Sequence, residues 1–111
     1  MTAYLSGYRI LWLQVLFDLP VKTKKERKAA TDFRNFLLDR GFEMAQFSVY
    51  QRWASGKEMA ETLIKKVENH LPPAGKVHII TFTDKQYENI RTFRGKKENP
   101  KQKNPDQLTL F

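Results

Sequence analysis

The sequence predicts an α+β fold in which two amphipathic helices cover one face of an antiparallel sheet. Three observations carry that prediction. Two apolar-periodic stretches each begin with a Ser or Thr followed three residues later by Glu, the start signature of a helix. Before and after them lie β-branched and aromatic runs, above all "RILWLQVLFD" and "KVHIITFT". The chain has 111 residues, 41% of them apolar, which suits one core between two packed layers.

Residues 8–17 read as the first strand, bounded by Gly7 and by the Asp18-Leu19-Pro20 turn. One face of it carries Leu11, Leu13, Val15 and Phe17. The other carries Ile10, Trp12, Gln14 and Leu16, and Asp18 continues that second parity. Thr23-Lys24-Lys25-Glu26 has capping-box spacing, in which the Thr oxygen and the Glu carboxylate satisfy backbone N–H groups at a helix start. The helix places Ala29, Ala30, Phe33, Phe36 and Leu37 on one face and Lys24, Arg27, Lys28 and Arg34 toward solvent, then runs to Arg40 and stops at Gly41.

Residues 42–54, "FEMAQFSVYQRWA", form two short strands joined by a bend at Gln46 to Ser48, where the alternation falters. Ser55-Gly56-Lys57-Glu58 repeats the capping-box spacing. Met59, Ala60, Leu63, Ile64, Val67 and Leu71 make the stripe of a second helix ended by Pro72-Pro73, and "KVHIITFT" is the next strand. "DKQYENIRTFRG" holds one helical turn and a last short strand. Residues 1–94 are therefore one domain, and 95–111 a polar, Pro-containing linker, read as disordered, that ends in the apolar pentapeptide "QLTLF".

This order is the ferredoxin-like β-α-β-β-α-β arrangement with a short extra C-terminal strand. Two helices cover one sheet face only, yet both faces of the first strand are apolar. A second copy is expected to pack sheet to sheet across a two-fold axis, giving a homodimer.

The formal charge of +8 favours polyanionic partners. Half of the 20 basic residues fall in two short runs: Lys22, Lys24, Lys25, Arg27 and Lys28, then Arg94, Lys96, Lys97, Lys101 and Lys103. The absence of cysteine removes disulfides and thiolate metal sites and fits a reducing cytoplasm. The longest apolar run, residues 10–17, is too short to span a bilayer, so a soluble cytoplasmic protein is expected. His70 and His78 show no ligand spacing, no nucleotide-binding or zinc-protease motif is present, and no general base is visible.

Asp18 has two readings. It is either a turn residue before Leu19-Pro20 or, doubled across a two-fold axis, one of two carboxylates that hold a hard cation such as Mg²⁺ against a phosphodiester. Ser48 and Tyr50 are hydrogen-bonding groups suited to a phosphate or to local backbone.

The strand ending in "FDLP", the basic helix and then "GFEMAQFSVYQR" resemble the motif of the CRISPR-associated protein two family: an aspartate ending the first strand, then Gly, Gln and Ser-Val-Phe/Tyr. The match extends through "TFTDKQYENIRTFRG", covers residues 8–95, and looks most like members that accompany the single large RNA-guided nuclease (type II systems). The resemblance implies a ferredoxin-like homodimer that joins two dimers of the CRISPR integrase, the family's protein one, on a DNA duplex during spacer acquisition. It also implies a metal-dependent endonuclease on single-stranded RNA or duplex DNA, with Mg²⁺ or Mn²⁺ held by Asp18 from each subunit.

Lys22, Lys24, Lys25, Arg27, Lys28 and Arg34 are the expected nucleic-acid grip. Gln46, Ser48, Val49 and Tyr50 match the family motif and serve either the site or the bend, Tyr50 standing where Phe is common. The tail residues Gln107, Leu108, Leu110 and Phe111 resemble the pentapeptide by which bacterial proteins dock on the sliding clamp. They also suit a strand added to a sheet edge of the partner dimer or the integrase. Two alternatives stay open: a toxin ribonuclease of virulence-associated D type, similar in fold, and a non-catalytic RNA-binding ferredoxin-like module, whose aromatic signature is missing here.

Overall fold

The computed structural model describes residues 9–95. The C-terminal pentapeptide, the linker beyond Gly95 and the second basic run after Arg94 lie outside the described residues. Four strands and three helices follow in order: β1 (Leu11–Asp18), α1 (Lys24–Asp39), β2 (Glu43–Gln46), β3 (Val49–Ala54), α2 (Lys57–Glu68), β4 (Lys76–Thr83) and α3 (Asp84–Glu88). The sheet is antiparallel in the order β2-β3-β1-β4, the ferredoxin-like arrangement, with β1 bonded along both edges.

The parity of β1 sets the core. Leu13, Val15 and Phe17 are buried against Ala30, Phe33 and Leu37 of α1 and Ala60, Leu63 and Val67 of α2. Phe17 meets Phe33 edge-on with ring centroids 5.3 Å apart, a favoured aromatic geometry.

At the start of α1 the expected capping box forms. Thr23 Oγ1 accepts from the Glu26 N–H and Glu26 Oε1 accepts from the Thr23 N–H, both at 3.0 Å. At α2 it does not: Gly56 is the cap residue and makes no side-chain cap bond. Ser55 stands one residue too early, and both its N–H and its hydroxyl turn to Met59 Sδ at 3.5 Å. α2 also ends before Pro72, because the Asn69 N–H closes on the Lys65 carbonyl and the His70 N–H on that of Val67, leaving Leu71 exposed.

The last short strand expected within residues 84–95 is absent: 90–95 joins no ladder among the described residues. The chain instead forms α3, opened by a Thr83–Gln86 capping box, and lays it on the second sheet face. Trp12 stacks on Tyr87 at 3.9 Å and 8° and donates its Nε1–H to Asp84 Oδ1 at 2.9 Å. The face expected to be bare is thus covered in part, while Trp53 (51% exposed) and Ile80 (47%) on it stay open. Among the described residues no helix is long and apolar enough to cross a membrane.

Candidate functional site

β1 carries its apolar run through the core and delivers Asp18 at its end, exposed. Three contacts fix the backbone there. Asp18 is the last β1 residue in register with β4, opposite Lys76. The neighbouring Phe17 N–H donates to the Ser48 carbonyl at 3.1 Å. Gly75, at φ +99°, presses the turn into β4 against Asp18. A Cβ there would lie 2.7 Å from the Asp18 carbonyl oxygen and 2.8 Å from Leu19 Cδ2, so the approach requires glycine.

The Asp18 carboxylate enters no ion pair among the described residues, where the one pair present joins Lys28 and Asp32 at 3.2 Å. No group of three or more His, Cys, Asp or Glu side chains that could hold a metal occurs among them either. An exposed, unpaired carboxylate fits a hard cation as a single ligand, with water, phosphate or a second copy supplying the others.

The register also brings two residues to Asp18 that the sequence alone did not tie to it. Lys76 stands directly opposite it, and His78, paired with Leu16, lies one step diagonally on the same face. Both are exposed. The sequence signal for them was the alternation of "KVHIITFT", which puts Lys76, His78 and Ile80 on one parity.

The basic residues divide. Lys22, Lys24 and Lys25 are exposed around the first turn of α1. Arg27 Nη1 donates to the carbonyls of Val21 (3.2 Å) and Lys22 (3.0 Å), so its charge braces the turn. Lys28 is shared with Asp32. Arg34, read as solvent-facing, is half-buried instead: its guanidinium lies 5.9 Å from the Phe17 ring centroid and 5.2 Å from that of Phe47, and its Nε is buried without a partner. The bend between β2 and β3 brings Phe47 to it, a contact that helical periodicity alone does not reveal.

In the bend, Gln46 is exposed beside a register shift between Met44 and Gln46. It borders a cleft on the second sheet face together with Gln14, Gln51 and Tyr87. Ser48 reaches the site through its backbone carbonyl. Tyr50 is 3% exposed and stacks on Phe17 at 5.6 Å, so it belongs to the core under Asp18.

The family model described as CRISPR associated protein Cas2 matches residues 11–90, from the start of β1 to just beyond α3. A protein of Paracidovorax avenae named CRISPR-associated endoribonuclease Cas2 is 58% identical over 107 residues, covering 96% of this chain and 99% of the relative. Proteins of the same name from Flavobacterium psychrophilum and Parvibaculum lavamentivorans are 48% and 43% identical. They cover 96% and 91% of this chain and 93% and 100% of their own lengths.

Proposed function

The chain belongs to the Cas2 family of CRISPR-associated proteins, and from that premise we propose that it is a metal-dependent endonuclease of single-stranded RNA, acting as a homodimer that joins two Asp18 carboxylates. The observation that carries this reading is an exposed carboxylate without an ion-pair partner among the described residues, mounted on the central strand and braced by Ser48 and Gly75. The relatives' names favour RNA as the substrate.

Asp18 from each subunit would hold the cation, Mg²⁺ or Mn²⁺. Such an ion supplies Lewis-acid polarisation of the scissile phosphate and a more acidic bound water. The chain's own residues do the rest. Lys76 beside Asp18, and Lys22, Lys24 and Lys25 across the turn, neutralise the phosphodiester and hold it at the strand ends. His78, one step along β4, is the side chain that would take or return a proton during phosphoester cleavage.

The test is cleavage of single-stranded RNA and of duplex DNA with Mg²⁺, Mn²⁺ or EDTA, comparing the native chain with Asp18→Ala and His78→Ala. Asp18→Ala is expected to abolish metal-dependent cleavage, and His78→Ala to slow it by about 10²-fold, the usual worth of one general acid or base. Equal cleavage by the native chain and Asp18→Ala would refute the assignment.

A second reading draws on the three uncommitted lysines at the first turn of α1. In it the homodimer grips a DNA duplex without reading sequence and bridges integrase dimers in spacer acquisition, with the C-terminal pentapeptide as a partner-binding strand. This reading requires duplex binding that survives Asp18→Ala.

A further inference from the structure

We propose that the cleft where the C-terminal end of α1 meets α2 is a phosphate-binding site, separate from Asp18 and independent of its role. The cleft is open, about 430 Å³ in volume, and lined by Asp39, Arg40, Gly41, Arg52, Thr62 and Lys66 among others. Three cations thus face one carboxylate, and none of the three enters an ion pair among the described residues. Arg52 gives two donors to backbone carbonyls, as Arg27 does at the opposite end of α1, but among the described residues none of the three is shared with a carboxylate as Lys28 is.

The two arginines are held in place before any ligand arrives. Arg52 donates Nε–H to the Trp53 carbonyl at 3.2 Å and Nη1–H to the Arg40 carbonyl, leaving most of the five donors of its guanidinium free. Gly41, at φ +87°, permits that clasp, since a Cβ there would lie 2.8 Å from Arg52 Nη1. The Arg40 guanidinium lies over Phe36 at 5.0 Å, Phe36 itself stacks on His70 at 4.3 Å, and Arg40 Nε is buried without a partner. Planar guanidinium forks fixed by stacking and backbone bonds suit the oxygens of phosphate.

Two features weigh against an anion, and the structure answers one of them. A helix C-terminus carries partial negative charge on its free carbonyls. Here the carbonyls of Phe36, Leu37, Leu38 and Arg40 are taken, by the N–H groups of Arg40, Gly41 and Phe42 and by Arg52, which leaves that of Asp39 in this turn. The Asp39 carboxylate remains and must weaken binding. Thr62 adds no donor, because its hydroxyl is bonded to the Glu58 carbonyl at 3.0 Å. Recognition therefore rests on Arg40, Arg52 and Lys66.

The site lies one α1 length from Lys22, Lys24 and Lys25. Sixteen helical residues span about 24 Å, close to seven base-pair steps of duplex. A single phosphate cannot bridge the two stations, whereas one nucleic-acid backbone can. The ligand is a phosphate, supplied either by a nucleic-acid 5′ end or by the internal diester backbone.

The experiment is a ¹⁵N chemical-shift titration of the full chain with inorganic phosphate, a 5′-hydroxyl duplex and the same duplex carrying 5′-phosphates. The native chain is expected to show saturable shifts at the amides of Gly41, Thr62 and Lys66. Arg40→Gln combined with Lys66→Gln is expected to weaken that binding by at least about tenfold, and Asp39→Asn to tighten it. Shifts with both duplexes identify the internal backbone as the source, and shifts with the phosphorylated duplex alone identify the terminus. No saturable shift at these amides with any probe, equal binding by the double variant, or no tightening in Asp39→Asn overturns the proposal.

Discussion

At Gly75 a missing Cβ governs where Asp18 sits. Replacing it with alanine forces a side chain into positive φ and drives a methyl toward the Asp18 carbonyl and Leu19. Strain of this kind costs roughly 1–3 kcal/mol. Gly75→Ala is therefore expected to lower Tm by several degrees and, with Asp18 displaced, to cut cleavage more than the loss of folded protein explains. Calorimetry and the RNA cleavage assay on one preparation check this; lowered Tm with full activity per folded molecule would uncouple Gly75 from Asp18. The place of Asp18 at the end of β1 was legible in the sequence, since an acid closing an apolar run is a local signal. Gly75, Lys76 and His78 were not tied to it there, because their relation to Asp18 exists only through the β1–β4 register.

Among the elements, α1 was the most legible and carries the clearest test. Its capping box is contained in four residues, so sequence and structure agree on its start. The same spacing misled at Ser55, where the chain makes Gly56 the cap and gives the serine to Met59. Arg34 was misread as solvent-facing for a comparable reason: a residue beside an apolar stripe is solvated or covered according to what a distant bend lays over it, here Phe47. Changing Lys24, Lys25 and Lys28 together to Ala is expected to weaken RNA and duplex binding alike. On duplex, the slope of log K against log salt should shrink by about 0.9 for each phosphate that the variant no longer neutralises. Lys28 should contribute least, being paired with Asp32. A fluorescence-anisotropy salt series decides it, and an unchanged slope would move the grip to another surface.

For the whole molecule, the four-strand order with helices on one face was readable from element order alone. The covering of the second face by α3 was not, since five helical residues give too short a pattern to show which way they fold back. What stays open there, with Trp53 and Ile80 about half exposed, is the surface we assign to the second copy. Ile80→Glu is expected to convert a dimer into a monomer by light scattering and to abolish cleavage while the fold survives by circular dichroism. A dimer that persists in this variant would place the interface elsewhere. β1 lies inside the sheet, between β3 and β4. Bonded to both neighbours from Leu11 to Leu16, its amides there are expected to exchange only when the domain as a whole opens. Asp18 is thus carried by a rigid plate. In the proposed dimer the gap between two such acids would be set by how two plates come to rest on each other, and tuning it would be a matter of docking angle, with no loop closure to adjust.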